Sequence, residues 1–304
     1  MRGDGLLTID VPYLVLALRH FGEERIVRHH EAMHDVRPQT VAAVEVVEKA
    51  LRRAAAGAGA VHAKQGRDVV TDSDLAVEDM IREALSSRFG WPVIGEERGG
   101  HTPVDEPYWL VDPICGTRNY ASGIPLYCIN VALVEHGEVS VAVIGDGSAG
   151  TIAATERDQG AWKVRPDDHA LVPSVASATI DLEAWPSTHS TRLLAVRRAS
   201  ALIEANRWEI RALSTTLALA YVAAGQLAGC VMFRTPGVVH TAAGALLVTE
   251  AGGIVTDLDG RTWTLDSGSL LCAATPCWRH RCLHRSRQRS MTVVRQRSLR
   301  IVDV

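Results

Sequence analysis

The sequence predicts a layered α/β protein of the α+β kind, with helices packed against more than one sheet. Three observations carry this expectation. Helical and strand patterns come in mixed order rather than in strict βαβ alternation. Hairpin signals lie inside apolar stretches, at His136-Gly137 in "INVALVEHGEVSVAVIGD" and at Asp259-Gly260 in "IVTDLDGRTWTL". The chain has 304 residues, 47% of them apolar, enough for one large domain or two small ones.

The elements follow in order. Residues 1–37 read as an N-terminal extension in which "YLVLALRHFGEERIVRHHEAM" forms an added helix, with His29, His30 and His34 facing solvent. "TVAAVEVVEKALRRAAAGAGA" repeats apolar residues at helical spacing. In "VVTDSDLAVEDMIREAL", Thr71 and Asp74 have the spacing of a capping box, and the acids sit where the helix dipole favours them. That helix is expected to begin near Asp72 and to bury Leu75, Met80, Ile81 and Leu85. "WPVIGEERGG" reads as a short strand stopped by Gly95, and "YWLVDPICGT" as a second one stopped by Pro113. Trp91 and Trp109 head these strands as core residues. "IRALSTTLALAYVAAGQLAG" is expected to be a buried helix stopped by Gly225. "HTAAGALLVTEAGG" is another, closed by Gly252 and Gly253 at its C-cap. The Pro/Ser-rich stretch from Val172 to Thr191 is the best internal boundary. The expected main domain is 38–278, with halves near 38–171 and 185–278, followed by an arginine-rich, solvated tail at 279–304.

Several function classes are disfavoured. The formal net charge of −3 argues against nucleic-acid binding over the whole surface. No run approaches the roughly 18 apolar residues that span a membrane. No basic segment followed by an apolar one marks a secretory signal at the N-terminus. Six cysteines without a CxxC pair are expected to be reduced thiols, which suggests a cytoplasmic protein. GxSxG and P-loop motifs are absent from the sequence.

Glu96, Glu97 and Asp112 lie just past the ends of two apolar strands. If those strands are neighbours, the acids converge at one rim. Hard cations such as Mg²⁺ (magnesium) take such oxygen ligands together with waters and a substrate phosphate. Gly116 and Thr117 open a turn whose amides could face an anion, and the Thr117 hydroxyl could hold a water. Asp72 could serve as a further outer ligand. The alternative is that these acids cap helices and form turns. Asp146 in "IGDG" reads as a turn residue, and His101 and His136 as solvent-facing.

"DVVTDSDLAVE", "GEE" at 95–97, "WLVDPICGTRNY", "AYVAAGQLAG" and "HTAAGALLVTEAGG" together resemble the inositol monophosphatase family of Mg²⁺-dependent phosphatases. The motifs occur in order along most of the chain. The resemblance implies an αβαβα sandwich of the inositol-monophosphatase/fructose-bisphosphatase kind. It implies hydrolysis of small phosphomonoesters, often by homodimers. By position it implies a metal-binding Glu96, a bridging Asp112 and a metal-binding carbonyl at Ile114. Thr117 would act with Glu96 on the attacking water, and the amides of Gly116 and Thr117 would cradle phosphate. The acid of the family's "VTxxD" segment matches Asp74, with Asp72 close by. Leu213-Ser214 stand where the family contacts substrate.

The departures from the family pattern fall on one side. The pattern D-P-I-D-G-T has Cys115 at its second acid, and the W-D pair before "xAAG" is Val239-His240. Both positions belong to the second metal. Acidic positions in and after the "AYVAAG" helix are Ala218 and Ala228, removing charge from a polyol-binding surface. Leu213, Ala218 and Val239 would then line a less polar pocket. One Mg²⁺ site is expected to be retained. The second would hold Zn²⁺ on Cys115 and His240, or nothing, or be replaced by His240 as general acid. Three functions follow: a hydrolase of a small phosphorylated metabolite, a pseudophosphatase that only binds, or an enzyme of elimination or cyclisation on a phosphate or diphosphate ester.

Overall fold

The structure is a computed structural model that describes residues 36–64, 68–165, 169–183, 189–204 and 206–274. The expected helix in the N-terminal extension, its histidines and the arginine-rich tail lie outside the described residues.

Helix α1 (Pro38–Ala54) opens with Pro38, at a position where the missing N–H breaks no helical bond. It buries Ala43, Val46, Val47 and Ala50. A short antiparallel ribbon follows, β1 (Val61–Ala63) with β2 (Val69–Thr71). Helix α2 (Asp72–Phe89) starts at the expected capping box, Thr71 accepting from the Asp74 amide and Asp74 from the Thr71 amide. It buries Ile81 and Leu85 as expected and Val77 as well, whereas Leu75 and Met80 are only half-buried.

The first sheet has seven strands in the order β3 (Val93–Gly95), β4 (Tyr108–Cys115), β5 (Cys128–Glu135), β6 (Glu138–Asp146), β7 (Ile152–Glu156), β8 (Ala161–Arg165) and β9 (His169–Ala170). β3 and β4 are parallel, with Gly95 opposite Val111. The β5–β6 turn has His136 at φ 53 and Gly137 at φ 77, the left-handed pair that a two-residue hairpin of this twist requires. β4 does not stop at Pro113 but runs on to Cys115. Its register against β5 breaks between Asp112 and Cys115. A proline has no N–H for the ladder and is tolerated at such a break.

Helix α3 (Thr117–Ala121) follows β4 directly, and helix α4 (His189–Glu204) falls in chain order between two strands of a second sheet. That sheet has five strands in the order β11 (Glu209–Arg211), β10 (Thr179–Glu183), β12 (Gly229–Met232), β14 (Leu270–Ala273) and β13 (Ile254–Thr256). The helix expected across residues 210–229 is therefore shorter. Glu209–Arg211 pairs with β10, Ser214 takes a left-handed φ of 55 that no α-helix accommodates, and helix α5 covers only Leu217–Ala223. The Asp259-Gly260 turn is present, but its return arm makes one bridge, Thr256 to Thr262, while β13 pairs with β14. Helix α6 (Val238–Glu250) ends as expected, with Gly252 at φ 97 and the Gly253 amide bonded to the Val248 carbonyl.

Alternation along the strands sorts the side chains into layers. Trp109, Val111, Ile129, Val131 and Leu133 pack against α1 and α2. Leu110, Ala132 and Val134 face the opposite way, onto α5 and α6. The far side of those helices meets Cys230, Met232, Leu270 and Cys272 of the second sheet. Val231, Leu271 and Ala273 point outward from it, onto Ala199 and Leu202 of α4. The order is helix, sheet, helix, sheet, helix, the expected αβαβα sandwich.

Candidate active site

The site forms at the carboxyl ends of the parallel pair β3–β4, where the chain turns at Gly95 and again at Gly116. A Cβ at Gly95 would lie 1.9 Å from Glu78 Oε1 of α2. That closeness lets the buried Glu78 carboxylate accept from the amides of Glu97 at 2.7 Å and Arg98 at 2.9 Å. Helix α2 thus fixes the turn that presents Glu96 and Glu97. Lys64, between β1 and β2, reaches both acids, at 3.1 Å from Glu96 Oε1 and 2.5 Å from Glu97 Oε1. Burial opposes the charge on Lys64, but the two carboxylates outweigh it and raise its pKa. Burial and then Asp112 push Glu96 up to about 8, against the pull of His240 and Lys64.

Asp112 is fully buried near the end of β4. Its Oδ2 takes a contact from His240 Nδ1 at 2.7 Å and a long one from Asn130 Nδ2 at 3.5 Å. Its Oδ1 is buried and has no hydrogen-bond partner. An oxygen left so costs free energy unless something binds it. Gly116 sits at φ 100, and a Cβ there would lie 2.8 Å from the Leu126 carbonyl, so the turn demands glycine. The single proton of the Thr117 hydroxyl is shared between the Ile114 carbonyl at 3.0 Å and Asp74 Oδ1 at 3.1 Å.

Asp72 is not at this centre. Its carboxylate is half-exposed, takes His62 Nε2 at 2.7 Å and accepts from the Ala60 amide at 2.9 Å, and the His62 contact lowers its pKa. Two positions further along α2, Asp74 is turned inward, and its burial raises its pKa. Asp74, the positional match for the family's acid, caps the helix and accepts from Thr117 at once.

Cys115 and His240 meet across the centre. The Cys115 sulfur accepts from the Thr216 hydroxyl at 2.9 Å and the Thr216 amide at 3.2 Å, and Asn130 donates to that hydroxyl at 2.9 Å. His240 stands in the first turn of α6. One ligand atom each from Asp112, Cys115 and His240 lie within 4.8 Å of one another. Burial, then Cys128 and Asp112, push the Cys115 thiol up. Burial opposes the charge on His240, but Asp112 and Cys115 overcome it and raise its pKa.

Leu213 and Ser214 belong to a loop stitched to both sheets. Asp181 Oδ1 accepts from the Leu213 amide at 2.9 Å and Glu183 Oε1 from the Ser214 amide at 2.5 Å. On the other side, Thr215 donates to the Cys115 carbonyl at 2.8 Å. Two expectations need correction. Ala218 is fully buried among Leu217 and Leu219, so it does not line a pocket. Ala228 is equally buried, between the second sheet and α4, and is no part of a polyol-binding surface.

Sequence reasoning missed Lys64, Glu78, Asn130 and Thr216. Lys64 stands shortly before the motif at 68–78, but only the β1–β2 ribbon carries it to the acids.

The residues present fit a hard divalent cation on the Glu96 side. The buried Asp112 carboxylate with its unsatisfied oxygen, the half-buried Glu96 carboxylate and the Ile114 carbonyl offer an all-oxygen donor set. The Cys115 and His240 side offers sulfur and nitrogen instead.

The chain matches the model of the inositol monophosphatase family over residues 31–292. It is 36% identical over 220 residues to inositol-1-monophosphatase ImpA of Mycolicibacterium smegmatis, covering 69% of this chain and 78% of that protein. It is 34% identical over 197 residues to the histidinol-phosphatase of Mycobacterium tuberculosis, covering 63% and 75%. The extragenic suppressor protein SuhB of Bartonella henselae shares the fold, with a TM-score of 0.75 at 24% identity over 82% of this chain and 98% of that one.

Proposed function

Because the chain belongs to the inositol monophosphatase family, we propose that it hydrolyses a phosphomonoester of a small metabolite with the help of a divalent metal ion. The observation that carries this reading is the buried Asp112 with one oxygen unsatisfied, joined through His240 Nδ1 to Glu96 at 4.0 Å, with Thr117 bonded to the Ile114 carbonyl close by in the same turn.

Glu96, Asp112 and the Ile114 carbonyl would hold Mg²⁺, which when bound supplies Lewis acidity to the phosphate and the attacking water. Glu96 receives the proton that the water loses. Thr117, held by Asp74, orients that water. The amides of Gly116 and Thr117 receive the phosphate at the turn. Lys64 offsets the charge of Glu96 and Glu97, which buried side by side would repel. The relatives named above are called phosphatases of inositol phosphate and of histidinol phosphate. These names share the phosphate and differ in the alcohol. The four described cysteines are free and buried, and Cys230 and Cys272 stand unbridged opposite each other, which supports a reducing, cytoplasmic setting.

The test is turnover of a phosphomonoester panel by the purified full chain with Mg²⁺, measured as released phosphate. Activity that Glu96→Gln abolishes is expected, and a parent rate no higher than that variant's overturns the reading. A second reading, a binding protein without turnover, is favoured by the 2.7 Å His240–Asp112 contact, which engages one of the ligand oxygens. It predicts phosphate binding with parent and Glu96→Gln equally inactive.

A further inference from the structure

We propose that Asp112, Cys115 and His240 form a site for one borderline-soft divalent ion of the Zn²⁺ class. The inference rests on the proposed function only in taking this cluster as part of the reaction centre.

The donor set comprises one carboxylate oxygen, one sulfur and one imidazole nitrogen, all within 4.8 Å of one another. Tetrahedral Zn²⁺ holds sulfur at about 2.3 Å and nitrogen or oxygen at about 2.0–2.2 Å, so its ligand atoms stand about 3–4 Å apart. Ligand atoms within 4.8 Å of one another stand close enough for one ion to draw them to that span. Mg²⁺ demands near-octahedral oxygen ligation and has little affinity for sulfur. Three protein ligands leave a fourth position for water or substrate, the pattern of catalytic rather than structural zinc.

A second observation, shared with the Glu96 side, points to a ligand. Asp112 Oδ1 is wholly buried and has no hydrogen-bond partner. The cluster also has the outer support that metal sites carry. The Thr216 amide and hydroxyl both donate to the Cys115 sulfur, and Asn130 fixes that hydroxyl. Simple core filling would account for a buried cysteine. It does not account for a nearly buried imidazole meeting that cysteine at a fully buried aspartate.

The test measures metal directly. The purified full chain is stripped with chelator and dialysed against Zn²⁺ in excess Mg²⁺. Bound metal is then quantified, and a parallel Co²⁺ sample is read by absorption. One equivalent of Zn²⁺ is expected to survive gel filtration, and Co²⁺ to show a thiolate-to-metal charge-transfer band. Cys115→Ser should abolish the band and weaken Zn²⁺ binding at least about 100-fold, more than the loss of an outer partner costs. Cys115→Asp should shift the preference toward Mg²⁺. Parent protein that retains no Zn²⁺ overturns the proposal whatever the variants do. A charge-transfer band that persists in folded Cys115→Ser overturns it too, by placing the thiolate elsewhere. Zn²⁺ retention without phosphatase turnover would defeat the proposed function alone, and Mg²⁺-supported turnover without Zn²⁺ binding would defeat this inference alone.

Discussion

The carboxylates at the ends of β3 and β4 and those on β10 are all largely buried, but they are satisfied in different ways. Asp181 and Glu183 accept from the amides of Leu213 and Ser214, and the Cys230 thiol donates to Asp181 at 3.4 Å. They act as acceptors that anchor a loop. At the other centre, Glu96 shares Lys64 with Glu97, and Asp112 keeps one buried oxygen without any partner. Burial of an acid is therefore no sign of function by itself. The sign is a buried acid whose lone pairs the protein leaves open.

The two groups should respond oppositely to mutation. Glu96→Gln is expected to lower kcat by about 10²–10⁴-fold, the range for loss of a general base, while the unfolding midpoint stays near that of the parent. Steady-state kinetics beside thermal unfolding would read both, and a large fall in midpoint with activity intact would erase the distinction. Asp181→Ala should do the reverse in kind. It leaves the Leu213 amide without its acceptor and should cost about 1–3 kcal/mol in urea unfolding.

The pH dependence sharpens the contrast. Burial raises Asp181 from 3.8 to about 6, so the folded state holds a proton that the unfolded chain releases. This group's contribution to stability therefore declines as pH rises from 3.8 to about 6 and then levels off. Asp181→Asn keeps an acceptor for Leu213 and should remove that slope. Glu96, pushed up to about 8, contributes a slope of the same sign to higher pH, so the difference between variant and parent is what counts. Glu183 and Cys230 face the same acid and stay constant in the comparison. Equal slopes in parent and variant would mean that Asp181 titrates normally. The smallest effect is expected for Thr71→Ala. Loss of the cap should cost about 0.5–2 kcal/mol and, because Asp74 also holds Thr117, should lower kcat more than its stability loss explains.

What was legible in the sequence was mostly local. The Thr71–Asp74 capping box, the His136-Gly137 turn and the Gly252-Gly253 helix end each depend on residues a few positions apart, and each is present. Pro113 misled because continued pairing with β5 outside a register break overrides its usual effect as a stop. The stretch from 210 misled because β10 offered an edge for Glu209–Arg211 to pair with. Choosing between Asp72 and Asp74 needed the direction each takes from the first turn of α2. The first position points to the β1–β2 ribbon and solvent, and the third turns inward.

Periodicity, capping and turn chemistry thus determined the element types and the layered class, because these signals act between neighbours in the chain. The motif order carried the family. Tertiary structure alone decided that Glu96, Asp112, Cys115 and His240 converge, since Asp112 and His240 touch across 128 positions of sequence. It also decided that Ala218 and Ala228 are core rather than pocket. Such contacts arise from how the two sheets pack on α5 and α6, and no pattern within one segment encodes that packing.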